Sequence, residues 1–176
     1  MKQQQRGFTM VELIVVIIIL GVLAAVALPR FTNLQRDARI AKLNGARGAV
    51  ASAMALVHGT AMARQGVAQP ACPAGGTGNV AATGTGTICT ENGLVNVTLL
   101  YPAATLAGVV SSAGVVQGVV NAANLAADGF ATTIAGNALT LQVSGGPTPA
   151  TCSFTYTAAA ALGQAPVLSN INNAGC

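Results

Sequence analysis

Residues 8–28 form a run of 21 residues with a single ionisable side chain, Glu12. A helix of about 20 apolar residues, rising ~1.5 Å each, spans the hydrocarbon core of a bilayer. Such a run must lie in lipid or against other apolar helices, because leaving it in water forfeits the hydrophobic gain of every side chain in it. The residues before it, Met1-Lys2-Gln3-Gln4-Gln5-Arg6-Gly7, carry two positive charges, which favours the cytoplasmic side of a membrane. Two ordinary readings follow. One is a plain membrane anchor. The other is a secretory signal peptide, with residues 13–23 as its apolar region and Ala25-Val26-Ala27 as a small-x-small cleavage site. Glu12 weighs against both, since a carboxylate costs about 2.5–3.5 kcal/mol at a bilayer centre and is seldom kept there without a partner. A short leader ending in Arg6-Gly7 also has no task in a simple anchor.

Charge is scarce and unevenly placed. Charged residues are 7% of the chain, against about 25% in an average soluble protein. With 52% apolar residues, the balance is the reverse of what disorder requires. All eight basic residues fall in the first 64 positions: Lys2, Arg6, Arg30, Arg36, Arg39, Lys42, Arg47 and Arg64. Beyond them only Glu91 and Asp128 are charged. Residues 65–176 therefore offer no basic surface to an acidic partner. The helical set Arg30, Arg36, Arg39, Lys42 and Arg47 lacks interleaved aromatics and starts where the apolar run ends. It reads as lipid-headgroup contact and later pairing between assembled copies, and no specific nucleic acid is expected.

Residues 30–64 have a helix-forming composition rich in Ala, Arg, Leu and Met. Ile40, Leu43, Val50, Met54 and Val57 share one helical face, expected to pack on the rest of the chain. Leu34, Ala38, Ala41, Gly45, Gly48 and Ser52 trace a second stripe of mostly small residues, suited to close approach of another helix. A helix from residue 8 to about 63 is roughly 80–85 Å long, more than one small head can cover. Pro29 supplies no N–H to the carbonyl of Ala25 and is expected to kink it.

The segment Arg6-Gly7-Phe8-Thr9-Met10-Val11-Glu12-Leu13 resembles the processing motif of type IV pilins and the related pseudopilins. The resemblance implies cleavage by a prepilin peptidase between Gly7 and Phe8, with methylation of the new amine on Phe8. It implies a leader (1–7), a transmembrane and filament-core half-helix (8–29), an amphipathic half-helix (30–64) and a globular head (65–176). Gly21 and Pro29 match the family's helix-weakening positions, and Glu12 its carboxylate. Glu12 lies one turn from Phe8, so it meets that amine in its own subunit or in a neighbour. An unpaired buried carboxylate costs several kcal/mol, so pairing with a neighbour would set the stagger of subunits. The implied partners are the peptidase, the assembly machinery of the inner membrane, the membrane itself before assembly, and further copies in an extracellular filament that serves surface attachment or motility. A weaker resemblance, through Tyr101-Pro102-Ala103-Ala104-Thr105 before a helix-like stretch and Cys152-Ser153-Phe154-Thr155-Tyr156-Thr157, is to the mannose-sensitive haemagglutinin pilins and implies surface attachment.

The expected fold is α+β, with the long helix packed on a small antiparallel sheet. Residues 94–101, 130–134, 138–143 and 152–157 read as strands. Pro102 is expected to end the first of these, and residues 103–127 read as an interrupted helix. Residues 65–93, rich in Gly, Thr, Ala and Pro, read as a surface loop. Cys72, Cys89, Cys152 and Cys176 point to an oxidising compartment, and no spacing among them suggests a metal site. The pairing Cys72–Cys89 with Cys152–Cys176 closes two local loops worth about 3 kcal/mol each. The resemblance also implies a disulfide at the end of the head. Cys72 with Cys176 and Cys89 with Cys152 remains open.

One His, two acids in the head and four cysteines leave no nucleophile–base set, so neither enzyme activity nor a cofactor is expected. His58 reads as a packed or exposed side chain. Pseudopilins of type II secretion are the alternative. Those relatives commonly place a calcium site where pilins have the disulfide, and two acids are too few for such a cage. The shortage of charge leaves two accounts of the head's surface, contact with neighbours or glycans on Ser and Thr, because soluble surfaces ordinarily carry about 25–35% charged residues.

Overall fold

The computed structural model describes residues 8–72, 76–90, 93–104, 109–111, 114–119, 123, 125 and 129–176. Gly7 and the expected leader lie outside the described residues, as do Glu91, Asp128 and part of the stretch expected as an interrupted helix. The chain divides into two units, Met1–Ala38 and Arg39–Cys176. Helix α1, Met10–Arg64, includes residues of both.

In the first unit every large apolar side chain described from Phe8 to Leu34 is exposed. In the second, α1 buries Leu43, Ala46, Val50, Ala53, Val57 and Ala61. Their spacing of three or four residues keeps them on one face of a 3.6-residue helix. The expected face is observed, with Ile40 and Met54 at its margin. The small-residue stripe Ala41, Gly45, Gly48 and Ser52 is exposed.

That single face meets two cores in turn. The first sheet contains β1 (Asn79–Val80), β2 (Gly86–Thr90), β3 (Gly93–Thr98), β4 (Tyr101–Pro102), β5 (Val109–Ser111) and β6 (Gly114–Gln117), in the order β1-β2-β3-β6-β5, with β4 paired to the end of β3. Its pairs are antiparallel except β3 with β6. Val80, Ile88, Val95 and Val97 close over Val57 and Ala61. The second sheet, β7 (Phe130–Ala135), β8 (Ala138–Val143), β9 (Ser153–Thr157) and β10 (Val167–Leu168), is antiparallel in the order β10-β9-β8-β7. Leu139, Leu141, Phe154 and Tyr156 close over Leu43, Ala46 and Val50. Alternation explains the second sheet: β8 buries Leu139, Leu141 and Val143 and leaves Ala138, Thr140 and Gln142 half-buried.

Three expectations are corrected. Within the stretch expected as loop, residues 79–80 and 86–90 form β1 and β2. Gly86 (φ +148°) permits this, because a Cβ there would stand 1.9 Å from the Asn79 carbonyl oxygen. The strand expected over 94–101 ends at Thr98, and Pro102 does not stop it. The chain reverses through Leu99 and Leu100, both with positive φ (55° and 71°), so Tyr101 and Pro102 pair back onto β3. This two-residue turn has the φ signs of a type I′ hairpin, normally made by Asn or Gly. The Leu100 N–H donates to the Gly84 carbonyl at 2.7 Å, which helps offset the left-handed conformation. The helix expected over 103–127 is replaced, at 109–111 and 114–117, by the β5–β6 hairpin. The valines of β5 and β6 suit strands better than helices.

The Tyr156 hydroxyl donates to the Pro102 carbonyl, a buried bond between β9 and β4. Burial, together with the neighbouring Tyr101, raises the Tyr156 pKa well above the ordinary tyrosine value. We expect Tyr156→Phe to cost about 1–3 kcal/mol, because it strands a buried carbonyl. Chemical denaturation measures this, and an unchanged midpoint would refute it. The raised pKa means the folded state holds the proton more tightly than the unfolded state. Its contribution is therefore complete below pH about 10 and is lost as pH climbs above that value.

Candidate functional site

Among the described residues of the first unit, the large apolar side chains are exposed. Phe8 is 85% exposed and Met10 80%, and from Leu13 to Leu28 every large side chain lies at 46% or more. By length and composition α1 is able to cross a membrane. Its start is well specified. Thr9 caps it: the Glu12 N–H donates to Thr9 Oγ1 at 3.3 Å, while Glu12 Oε2 accepts from the Thr9 N–H (2.9 Å) and hydroxyl (2.8 Å). Thr-x-x-Glu is a capping box, which satisfies two donors that a helix start leaves open. The carboxylate of Glu12 is thus turned back towards the residue that follows Phe8. The helix continues through Gly21 and Pro29. A Cβ at Gly21 would meet nothing within 4 Å, so no packing contact requires glycine there.

The basic residues of the second unit do work that the sequence did not reveal. Arg39 Nη1 donates to the Cys176 carbonyl at 2.6 Å, and Arg47 Nε to the Ser169 carbonyl at 3.0 Å. Lys42 Nζ lies 4.6 Å from the centre of the Phe130 ring. These three side chains hold the segments 169–176 and 130 to the helix, where headgroup contact was expected. Arg39 falls at the centre of the core face and Lys42 and Arg47 flank it on either side, and that was the available signal. His58 stacks on Tyr101, with ring centres 4.1 Å apart and planes within 1°. Its Nδ1 lies 3.1 Å from the Leu100 carbonyl oxygen. A carbonyl only accepts, so Nδ1 carries the proton.

Cys72 is joined to Cys89 and Cys152 to Cys176. The second bridge is built into the core, with Cys152 fully buried and Cys176 4% exposed. Among the described residues no three His, Cys, Asp or Glu side chains cluster as metal ligands would. The exposed apolar residues of α1, with the Glu12 carboxylate at their start, offer association with lipid or with other apolar helices.

Residues 2–28 match the family described as the prokaryotic N-terminal methylation motif. The chain is similar to the type IV narrow pilus major component PilA5 of Thermus thermophilus, 45% identical over 51 residues, which are 29% of this chain and 44% of that protein. It is similar to a type IV major fimbrial protein FimA of Dichelobacter nodosus, 30% identical over 109 residues, which are 59% of this chain and 67% of that protein. The type II secretion system core protein G of Pseudomonas aeruginosa is 38% identical over 53 residues, 30% of this chain and 37% of that protein. The aligned stretches thus span less than half the length of the first and third of these relatives. No solved structure matches the chain.

Proposed function

The chain belongs to the type IV pilins, and from that premise we propose that it is the major structural subunit of a pilus, polymerising through α1 into an extracellular filament. The exposed apolar face of residues 8–28 carries this reading. Each large aliphatic side chain left in water forgoes about 1.5–3 kcal/mol, so the rod passes from lipid to the rods of other copies. A prepilin peptidase cuts the precursor between Gly7 and Phe8 and methylates Phe8, and the inner-membrane assembly machinery takes up the product. The capping box supports this geometry, since it turns the Glu12 carboxylate towards the end where the cut leaves a positive amine. The domain bounds proposed are 1–7, 8–29, 30–64 and 65–176, with Gly21 and Pro29 as the weak points of the helix during assembly.

The similarity to core protein G favours a second reading, a type II secretion pseudopilin. Two acids in the head and two disulfides favour the pilus. Attachment, and the finer placement beside the mannose-sensitive haemagglutinin pilins, rests on residues 101–105 and 152–157, with β5 and β6 standing at 109–111 and 114–117 where part of a helix was expected between them.

Two measurements test the proposal. Electron microscopy with antibody to the head should label long surface filaments, whereas a pseudopilin leaves none. Intact mass of the filament subunit should equal residues 8–176 plus one methyl, less four hydrogens for two disulfides. A chain beginning at Leu28 would replace the proposal with a signal peptide. Added mass beyond the methyl would assign the charge-poor surface to glycans.

A further inference from the structure

The second sheet ends on one side at β7. Six consecutive pairs, from Phe130 with Val143 to Ala135 with Ala138, join it to β8 without a bulge. In an antiparallel ladder, facing pairs alternate between those that exchange hydrogen bonds and those whose backbone groups point away. The Val143 N–H donates to the Cys152 carbonyl, on the β9 side, at 3.1 Å. Val143 therefore turns its backbone away from β7, and Phe130 opposite it is in the non-bonded class. By alternation so are Thr132 and Ile134. The N–H and C=O groups of these three residues point outward along an edge where no further strand pairs among the described residues.

Proteins usually blunt such an edge with a charge, a proline, a bulge or a covering element. Phe-Ala-Thr-Thr-Ile-Ala has no charge, no proline and no glycine. Ala131, Thr133, Ile134 and Ala135 are exposed. A short, uncharged, β-prone edge is suited to strand addition.

The edge is also complementary to itself. An antiparallel pair centred on Thr132 sets Thr132 against Thr132 of the second copy, and Phe130 against Ile134 in both directions. All three are outward-facing residues, so the new ladder gains about six N–H···O bonds. The side-chain pairs are Thr with Thr and an aromatic with a β-branched residue, both favourable across strands. Like charges do not meet. Lys42 sits over Phe130, and the two Phe130 positions are four residues apart along the ladder, about 14 Å.

We propose that β7 is a docking edge for β7 of a second copy in an adjacent filament, joining filaments side by side. This rests on the filament reading above. The contact has twofold symmetry, and copies within one filament follow a screw and run the same way, so it forms only between filaments. A single such ladder buries far less than the roughly 1,200 Å² of a stable complex, so isolated subunits do not dimerise through it. Repetition along a filament supplies avidity of about 10²–10⁴.

The test uses sheared filaments of the parent, of Thr132→Lys and of Thr132→Glu, followed by low-speed sedimentation and negative-stain microscopy. Position 132 faces its own copy, so either charge repels itself across the dyad. The parent should pellet as bundles, and each variant should remain as single filaments with at least tenfold less pelleted. Mixing the two variants should restore bundles, which loss of folding would not do. Bundling by either variant alone, or a mixture that stays single, would overturn the proposal. Single parent filaments decorated by another protein that Thr132→Lys displaces would overturn it in favour of a foreign strand. A parent without filaments would overturn the filament reading, and this proposal with it.

Discussion

Glu12→Gln is expected to reduce filaments to less than about a tenth of the parent number while the chain is still cut, methylated and folded. Glutamine keeps an oxygen that can accept from the Thr9 N–H and hydroxyl, which Glu12 now binds at 2.9 and 2.8 Å. The helix cap therefore largely survives, and what is lost is the charge. In a filament interior an amine left without its carboxylate costs about 3–5 kcal/mol, a factor of more than a hundred per contact. Thr9→Ala makes the opposite change. It removes a cap worth about 1 kcal/mol and keeps the charge, so it should assemble close to parent level. Filaments are counted by microscopy, and subunit mass checks processing. Equal numbers for Glu12→Gln and parent would dismiss charge pairing as the source of the stagger.

Replacing Cys152 and Cys176 by serine should destabilise the head more than the same change at Cys72 and Cys89. The loops are similar, 24 and 17 residues apart in sequence, and chain entropy predicts about 3 kcal/mol for either. The surroundings differ. Cys152 and Cys176 belong to the core formed with Leu43 and Tyr156, so serine there buries polar groups inside that core, whereas Cys72 is buried outside both core clusters. The segment they tie is closely fitted, since a Cβ on Gly175 would stand 2.1 Å from the Thr148 carbonyl oxygen, and Arg39 holds the Cys176 carbonyl. We expect a loss of about 4–5 kcal/mol against about 3, which lowers Tm by on the order of 10 °C or more. Melting of the detergent-solubilised subunit reads both. A larger drop for the Cys72–Cys89 variant would show that the core around the second bridge contributes less than its burial implies.

The helix and the second sheet were legible because each carries its own period. Leu43, Val50 and Val57 repeat at helical spacing, and Leu139, Leu141 and Val143 alternate. The first sheet was hidden because its strands are specified by their neighbours. The Gly-Thr repeat of β2 has no apolar alternation and becomes a strand only against Asn79 and residues 93–97. The reversal at Leu99 and Leu100 has none of the residues a tight turn prefers, and depends on bonds from Gly84 and His58, distant in sequence. In the candidate site, Glu12 stood out as a charge in an apolar run. Its cap with Thr9 was also written in the sequence, as Thr-x-x-Glu, but the signal was masked by the chemistry read into Glu12 itself. Arg39 and Arg47 were misread because a basic residue near a membrane resembles one that grips a carbonyl; only the fold of residues 169–176 separates them.

Because one helix face serves two cores in succession, joined by the bond from Tyr156 to Pro102, most substitutions in the pilin head are felt in the core where they fall. Val80, Ile88, Val95 and Val97 rest on Val57 and Ala61, while Leu139, Leu141 and Phe154 rest on a different stretch of the same rod. Substitutions in the two places share few neighbours, so their effects should sum. A lineage under pressure to change its exposed face is free to rewrite one module while the other keeps the head seated on its helix.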